Sequence, residues 1–293
     1  MTKTHLRAGE SAEGPYRTVI TPETAGWRYS GLRVLDAAPG VVYAVATGDA
    51  EHLVLPLAGG CAVEAEGASY RLVGRSGVFG PPSDFLYLPR DCEARLTSRD
   101  GGRFALPSAR CERRLPVRYG PAGAVPIELR GAGSCSRQVH DYCLPHTFAA
   151  ERLLVCEVLT PGGNWSSYPP HKHDEQHPGT ESELEEVYYF QTAPGGLGYQ
   201  RVRGTPGRPL DVLAEVRDGD TVLVPHGWHG PSTAAPGYDL YYLNVMAGPG
   251  PERAWLIRDD PAHAWVRATW PGQQVDPRLP FAAAPHPQHG GAR

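Results

Sequence analysis

Short apolar segments at regular spacing constrain the fold of this chain more than any other feature. From Trp27 to Val245, brief apolar runs alternate with Gly, Pro and Asp. The chain contains 35 Gly and 30 Pro, residues that end strands and form turns. Strand-like runs that recur about every 8–12 residues are typical of antiparallel barrels and sandwiches. We therefore predict an all-β protein.

The apolar runs form two groups on either side of a connector rich in Pro and Gly at residues 107–136, in which 124–129 is a candidate edge strand. This arrangement predicts two antiparallel barrels, residues 1–125 and 126–293. Residues 1–26 are expected to be an arm that packs on the body or on another subunit, and the tail after Asp276 is expected to be loose. The predicted strands are 41–46, 52–57, 61–65, 70–73, 85–89, 152–158, 198–202, 221–224 and 240–245.

Charge and cysteine usage restrict the class of protein. The formal charge is −4 and no basic stripe is present, which argues against nucleic acid or an anionic membrane as a partner. No apolar run approaches the roughly 18 residues that cross a bilayer. Residues 1–7 lack the apolar core of a signal peptide. The six cysteines show no CxxC spacing and are expected to be reduced thiols. A cytoplasmic protein is predicted.

Residues 170–191, PHKHDEQHPGTESELEEVYYFQ, carry the strongest functional pattern. His171 and His173 are two residues apart, so their rings leave the same face of an extended strand. An acidic run at 183–186 opens an aromatic strand, and further histidines follow near residue 229. Two strand histidines, a carboxylate and a later histidine are enough to bind one divalent metal ion.

Two choices within this pattern stay open on the residues alone. Glu185 and Glu186 point to opposite faces of a strand, so only one of them can meet the histidines. His226 and His229 compete for the closing position. The first half of the chain contains only His5 and His52, with no such pair, and is predicted to be a barrel without a metal.

The spacing resembles the two-part signature of the cupins, with His171, His173, an acid-led strand, Gly219, Pro225 and His229 in order. Cupins are small antiparallel barrels whose mouth holds a metal on three histidines and one glutamate. The resemblance implies His171, His173, Glu186 and His229 as ligands. The gap between the histidine pair and the acid is longer than in a minimal cupin. Residues 174–183 are therefore an insertion that could fold over the site.

The amino-acid sequence of the second half of the chain resembles that of the 5-deoxy-glucuronate isomerases, bicupin enzymes of bacterial myo-inositol breakdown. The matching segments are 165–174, 184–189 and 235–248, with 260–265 and 276–278 in addition. A related family isomerises 5-keto-4-deoxyuronate, but the insertion and the run 238–244 favour the inositol enzymes. The resemblance implies aldose–ketose isomerisation of 5-deoxy-D-glucuronate to 5-dehydro-2-deoxy-D-gluconate.

This reaction passes through an enediolate, whose charge a divalent cation can hold without redox change. Zinc is the favoured ion, with manganese and iron as alternatives. The predicted binding partner is a small sugar acid. The oligomeric state is left undecided, with a homo-oligomer as one alternative. Two rival functions are a metal-dependent oxygenase and a non-catalytic cupin that binds sugar acids.

The reaction also needs a proton shuttle and a group that binds the substrate carboxylate. The residues alone do not rank the shuttle candidates, of which we take Glu185, Lys172 and Tyr241 as the predicted catalytic set. Arg137, Arg201 and Tyr188 are the predicted substrate contacts. The remaining candidates are Glu183, His226 and again Tyr188 for the shuttle, and Arg258 for the carboxylate.

Overall fold

The computed structural model describes residues 3–281, which contain 22 β-strands and four short helices. The first ten strands are β1 (His5–Leu6), β2 (Tyr16–Ile20), β3 (Ser30–Ala37), β4 (Val42–Ala46), β5 (Ala50–Ala65), β6 (Ala68–Arg75), β7 (Phe85–Leu88), β8 (Glu93–Thr97), β9 (Gly102–Arg110) and β10 (Arg118–Gly120). The other twelve are β11 (Ile127–Arg130), β12 (Arg137–Cys143), β13 (Leu154–Thr160), β14 (Trp165–Ser166), β15 (His171–Lys172), β16 (Glu185–Thr192), β17 (Gly198–Thr205), β18 (Arg208–Val216), β19 (Thr221–Val224), β20 (Trp228–Ala234), β21 (Leu240–Ala247) and β22 (Arg258–Asp259). The helices are α1 (Pro22–Ala25) and three 3-10 helices, Ala122–Ala124, Gly133–Cys135 and Ala264–Gly272.

The first barrel is built from β2 to β10. Strands β10, β7, β5, β9, β3 and β2 pair in that order, and β4, β6 and β8 close the other side. The predicted strands 52–57 and 61–65 are one continuous strand, β5, which pairs with β9 through Ala58 and with β6 from Gly59 onward. Gly59 has φ +83°, and a Cβ there would lie 2.6 Å from the Gly101 carbonyl oxygen. Glycine lets the strand turn from one sheet into the next without a break.

The second barrel consists of two facing sheets. One has the strand order β1, β19, β16, β21, β13, β12, β11, and the other has β18, β17, β20, β15, β22, with β14 paired to β20. All pairings are antiparallel. The all-β, two-barrel architecture predicted from the sequence is confirmed.

Strands β16 and β21 lie between the two barrels and are buried on both faces. Their pairing sets Tyr188 opposite Asn244. Tyr188 and Tyr242 belong to the core of the second barrel, whereas Tyr189 and Tyr241 belong to a core shared with the first barrel. Because alternate side chains of a strand point to opposite faces, this parity decides which residues can reach the interior of the second barrel.

Strand pairing changes barrel between β10 and β11, and we propose on this basis to keep the division at residues 125 and 126. The arm crosses it: β1 pairs with β19, and the Leu223 amide donates to the Thr4 carbonyl oxygen over 2.8 Å. Strand β1 of the arm therefore packs on the second barrel of its own chain, whereas β2 of the arm pairs with β3 in the first barrel. The predicted edge strand in the connector is present as β11, at the end of its sheet.

The prediction of a loose tail after Asp276 is wrong for residues 277–281. Leu279 and Phe281 are 8% and 5% exposed and belong to the shared core, so their burial fixes this segment. The rest of the predicted tail lies outside the described residues.

All six cysteines are buried free thiols, as predicted. Within residues 3–281, no helix has the length and apolar character needed to cross a bilayer.

Candidate metal centre

Three imidazole rings and one carboxylate converge inside the second barrel. His171 on β15 pairs directly opposite His229 on β20, and their ring centroids are 4.4 Å apart. His173 follows β15, and Glu186 lies on β16. The Nε2 atoms of His173 and His229 each lie 3.1 Å from Oε2 of Glu186. The structure thus brings Glu186 and His229 to the histidine pair.

The donor set fits a first-row divalent cation. Ligand atoms bonded to such an ion at about 2.0–2.2 Å are separated from one another by roughly 3 Å, close to the distances found here. Apart from its 3.1 Å approach to Glu186 Oε2, the buried Nε2 of His229 has no hydrogen-bond partner among residues 3–281, so its lone pair is free for an ion. The donors of His173, Glu186 and His229 lie within 4.8 Å of one another, and His171 stands beside them. Imidazole and carboxylate ligands suit zinc, manganese and iron.

The surroundings orient every one of these side chains. Each histidine places Nδ1 near a backbone carbonyl oxygen, which favours the tautomer that turns the Nε2 lone pair toward the centre. Oε1 of Glu186 accepts a 2.6 Å hydrogen bond from the Asn244 amide, which leaves Oε2 for the centre. The Nδ1 contacts are His171 with Pro169 O at 3.4 Å, His173 with Leu184 O at 3.3 Å and His229 with Gly227 O at 3.2 Å.

The electrostatics of His171 and Glu186 favour the protonation states that bind metal, whereas burial of His173 is outweighed by the Glu186 carboxylate, which raises the pKa of His173. Burial, with the neighbouring His229 and His173, lowers the pKa of His171 well below its usual value. Burial alone would raise the pKa of Glu186, but its contacts with His173 and His229 lower it to about 2. A neutral imidazole and an ionised carboxylate are the forms that ligate a cation.

A cavity of about 180 Å³ adjoins His171. Its wall is cationic and rich in hydrogen-bonding groups, a combination suited to a small polar anion. Among residues 3–281, no Asp, Glu or Lys lines it. The polar residues of the wall, besides His171, are Arg130, Arg137, Arg267, Ser167, Tyr188, Tyr242 and Asn244.

Two of the predicted substrate contacts, Arg137 and Tyr188, lie in this wall. Arg201 does not, because it points outward from β17, pairs with Asp211 and donates to the Val212 carbonyl oxygen over 2.9 Å. Arg258 is exposed on β22. The structure therefore does not support Arg201 or Arg258 as substrate contacts.

The three predicted catalytic residues also lie away from the cavity wall. The Glu185 carboxylate accepts hydrogen bonds of 2.7–3.0 Å from the backbone amides of residues 28–30 in the first barrel. The Tyr241 hydroxyl donates to Glu157 over 2.8 Å on the face of β21 that packs against the first barrel. Both side chains leave their strands on the side opposite the centre, so the structure does not support a catalytic role for either.

Lys172 is held by a cluster of acids. Its Nζ lies 2.7 Å from Asp174, 2.8 Å from Glu175 and 2.7 Å from Glu181. Burial lowers the pKa of Lys172, but these three bonds outweigh it and raise the pKa above its usual value. A fixed ammonium ion of this kind does not exchange protons readily.

The insertion and the other shuttle candidates are placed outside the wall as well. The lysine cluster ties down the loop at 174–181, and no residue of 174–183 lines the cavity. The expectation that the insertion folds over this cavity is therefore not supported. Glu183 is exposed, and His226 lies in a separate groove with Leu210 and Leu223.

Comparisons with known proteins agree with this fold. The sequence matches the model of the KduI/IolB family over residues 5–266. The 5-deoxy-glucuronate isomerase of Geobacillus thermodenitrificans is 42% identical over 250 residues, which cover 84% of this chain and 89% of that protein. The 5-deoxy-glucuronate isomerase of Bacillus subtilis strain 168 is 38% identical over 250 residues, 84% of this chain and 91% of that protein.

Solved structures give the same relationship. The crystal structure of an IolB-like protein from Salmonella typhimurium LT2 superposes with a TM-score of 0.84 at 36% identity, covering 90% of this chain and 99% of that one. A mutant oxalate decarboxylase from Bacillus subtilis has a TM-score of 0.61 at 13% identity, covering 88% and 80%, which shows a shared fold alone. The chain belongs to the KduI/IolB family.

Proposed function

We propose that this protein is an aldose–ketose isomerase that converts 5-deoxy-D-glucuronate to 5-dehydro-2-deoxy-D-gluconate in myo-inositol catabolism. Family membership and the activity named for its relatives support the proposal. The observation that carries it is the convergence of two imidazole Nε2 atoms on one Glu186 oxygen, beside a cavity whose wall contains three arginines.

His171, His173, Glu186 and His229 would hold one divalent cation. We propose zinc, which can serve because the reaction has no redox step, with manganese and iron as alternatives. When bound, the ion supplies a Lewis acid for the charge of an enediolate. Metal binding requires an ionised Glu186 and a neutral His171 in the metal-free protein. The pKa shifts of both groups favour these forms.

A chain of hydroxyl groups in the cavity wall has one consistent direction. Ser166 donates to the Ser232 carbonyl oxygen over 3.0 Å, so Tyr242, 3.0 Å from Ser166 Oγ, must be the donor in that contact. Ser167 then donates to Tyr242 over 3.1 Å, and Tyr188 donates to Ser167 over 3.2 Å. The lone pairs of the Tyr188 oxygen are left to accept a hydrogen bond from a substrate hydroxyl.

Tyr188 is therefore our candidate for a hydrogen-bond contact to a substrate hydroxyl. Burial raises the pKa of its phenol well above the usual value, so the group stays neutral, and its own proton is engaged with Ser167. Tyr188 thus keeps the substrate-binding role predicted from the sequence, and we assign none of Glu185, Lys172 and Tyr241 to the proton transfer.

The proposal is tested by elemental analysis of the purified protein together with an NMR assay on 5-deoxy-D-glucuronate in heavy water. We expect about one divalent ion per chain and formation of the 2-ketose without oxygen consumption. Deuterium in the product indicates proton exchange through an enediol. Conversion of 5-keto-4-deoxyuronate alone would assign the related isomerase activity, whereas binding without conversion of either uronate would leave a non-catalytic sugar-acid protein.

A further inference from the structure

Three arginines reach the cavity, and two of them are already neutralised. Arg130 forms two hydrogen bonds to Glu128, of 2.9 and 2.6 Å. Arg267 likewise binds both carboxylate oxygens of Asp259. Each of these guanidinium groups is engaged in a fork with a carboxylate, the pairing that satisfies its planar donors.

Arg137 differs from both. It is only 5% exposed, and no carboxylate of residues 3–281 lies within ion-pair distance of it. Its guanidinium donates a 3.0 Å hydrogen bond to the Cys135 carbonyl oxygen and lies 5.5 Å from the Trp270 ring centroid. A guanidinium has five N–H donors, so most of its capacity is uncommitted.

The environment of Arg137 is unfavourable for a cation in the free protein. Burial, together with the charges of Arg130 and Arg267, lowers the pKa of Arg137 to about 10. A buried charge without a counter-ion is costly, and a perturbed titratable group that lines a cavity is a candidate for a binding site. Arg137 lines the same cavity as His171. When an anion binds Arg137, the rest of the bound molecule therefore lies beside the metal centre.

We propose that Arg137 is the carboxylate receptor of the substrate and orients a sugar acid with its opposite, carbonyl end against the metal centre. This inference rests on the proposed function and adds the residue that determines specificity for an acid. Arg130 and Arg267 then shape the cavity, since their own carboxylates already occupy them. The substrate supplies the missing counter-ion, so its binding is coupled to neutralising Arg137.

The test compares R137Q and R137M with R103Q, which alters an arginine paired with Asp36 in the first barrel. Each protein is assayed with 5-deoxy-D-glucuronate and with its uncharged counterpart, 5-deoxy-D-glucose. We expect R137Q to lower kcat/KM for the uronate by about 100-fold or more, chiefly through KM, because a charge-assisted fork is lost. The value for the neutral sugar should change less than about threefold, and R103Q should match the wild type for both.

Thermal unfolding with and without D-gluconate supplies a second readout. D-gluconate should raise the Tm of the wild type but not that of R137M, and free R137M should melt no lower than the wild type because a buried unpaired charge is gone. A lower Tm with equal losses on both sugars would mean that Arg137 is structural and would overturn the inference. If the wild type converts neither 5-deoxy-D-glucuronate nor 5-keto-4-deoxyuronate, the proposed function fails. The Tm shift caused by D-gluconate still decides whether Arg137 binds a carboxylate.

Discussion

At the scale of single residues, the alternation of side chains along β16 and β21 decides which residues face the candidate metal centre and which face the first barrel. Glu186 and Tyr188 on β16 face the interior of the second barrel, as do Tyr242 and Asn244 on β21. Their neighbours one residue away, including Glu185, face the first barrel. A shift of one position therefore exchanges a proposed metal ligand for a structural carboxylate.

The proposed ligand set makes the first prediction. H173A and H229A each remove an imidazole whose Nε2 lies 3.1 Å from Glu186 Oε2. We expect each variant to lose most of its bound metal and to fall about 1000-fold in kcat while the barrels stay folded. Metal analysis, turnover and circular dichroism check this. The control H177A changes an exposed loop histidine and should keep its metal. Normal turnover in metal-free H173A and H229A would remove the centre from the chemistry.

The second prediction concerns the amide that orients Glu186. N244L keeps the size of Asn244 but removes its 2.6 Å hydrogen bond to Glu186 Oε1. Loss of such an outer contact typically weakens metal affinity by about 10–100-fold, and we expect that range in a chelator competition. N164L is the matched control, because Asn164 is equally buried but binds Ser136 and Asp276. It should lower stability and leave metal affinity unchanged; equal affinities in N244L and wild type would contradict the role of Asn244.

The sequence indicates these residues unevenly, for a physical reason. His171 and His173 are polar residues two positions apart, so their pattern shows through. In β21 every residue from 240 to 247 is buried, since both faces pack against protein, and no apolar–polar alternation distinguishes Tyr242 from Tyr241. Arg130 and Arg267 reach the cavity from distant segments, and nothing local in the sequence marks them.

At the scale of elements, two carboxylates join the barrels reciprocally. Glu185 on β16 accepts the amides of residues 28–30. Glu51 on β5 accepts the amides of residues 151–153, at 2.7–2.9 Å in its best contacts, and the Tyr87 hydroxyl at 2.6 Å. Each barrel thus supplies a carboxyl group that accepts hydrogen bonds from backbone amides of the other. Short apolar runs predict the strands well, but such contacts across about 100 or more residues leave no local signal.

The third prediction follows from this role of Glu185. E185Q keeps the shape of the side chain but replaces one acceptor oxygen with a donor that faces backbone amides. We expect the free energy of unfolding to fall by about 1–3 kcal/mol in urea titrations, because charge-assisted hydrogen bonds are lost. The kcat of the folded variant should stay within about threefold of the wild type. A large loss of kcat with unchanged stability would restore Glu185 to the chemistry.

At the scale of the whole molecule, a buried ion pair links the barrels through their shared core. Arg75 of the first barrel binds both carboxylate oxygens of Glu157 on β13, each at 2.7 Å. Glu157 also accepts hydrogen bonds from Tyr142 and Tyr241 and lies 2.6 Å from Nδ1 of His140. The opposite face of β13 contributes Val158 to the cavity wall, so this network supports the strand behind the site.

The fourth prediction tests that linkage with a double-mutant cycle of R75M and E157Q. At pH 7, R75M leaves the Glu157 carboxylate buried without its cation, which should cost about 3–5 kcal/mol of unfolding free energy. In the E157Q background the same change should cost much less, so the two effects should not add. The exposed pair of Lys3 and Glu10 serves as a reference, for which the coupling should be about 0–1 kcal/mol.

The pH dependence of the R75M effect shows whether that effect comes from the buried charge of Glu157. Burial raises the pKa of Glu157, but Arg75 and His140 outweigh it and hold the pKa well below its usual value. A carboxyl group with a depressed folded-state pKa stabilises the fold above its unfolded pKa of about 4.3, and this stabilisation is lost as the pH falls toward the folded value. R75M removes the cause of the depression, so in that variant Glu157 takes up a proton at a higher pH and its buried charge disappears. The stability difference between wild type and R75M should therefore be largest near pH 7 and shrink below about pH 4.5. Urea titrations near pH 7 and below about pH 4.5 measure this stability difference. A difference that stays constant or grows in acid would show that Arg75 stabilises the junction by packing instead of by its charge.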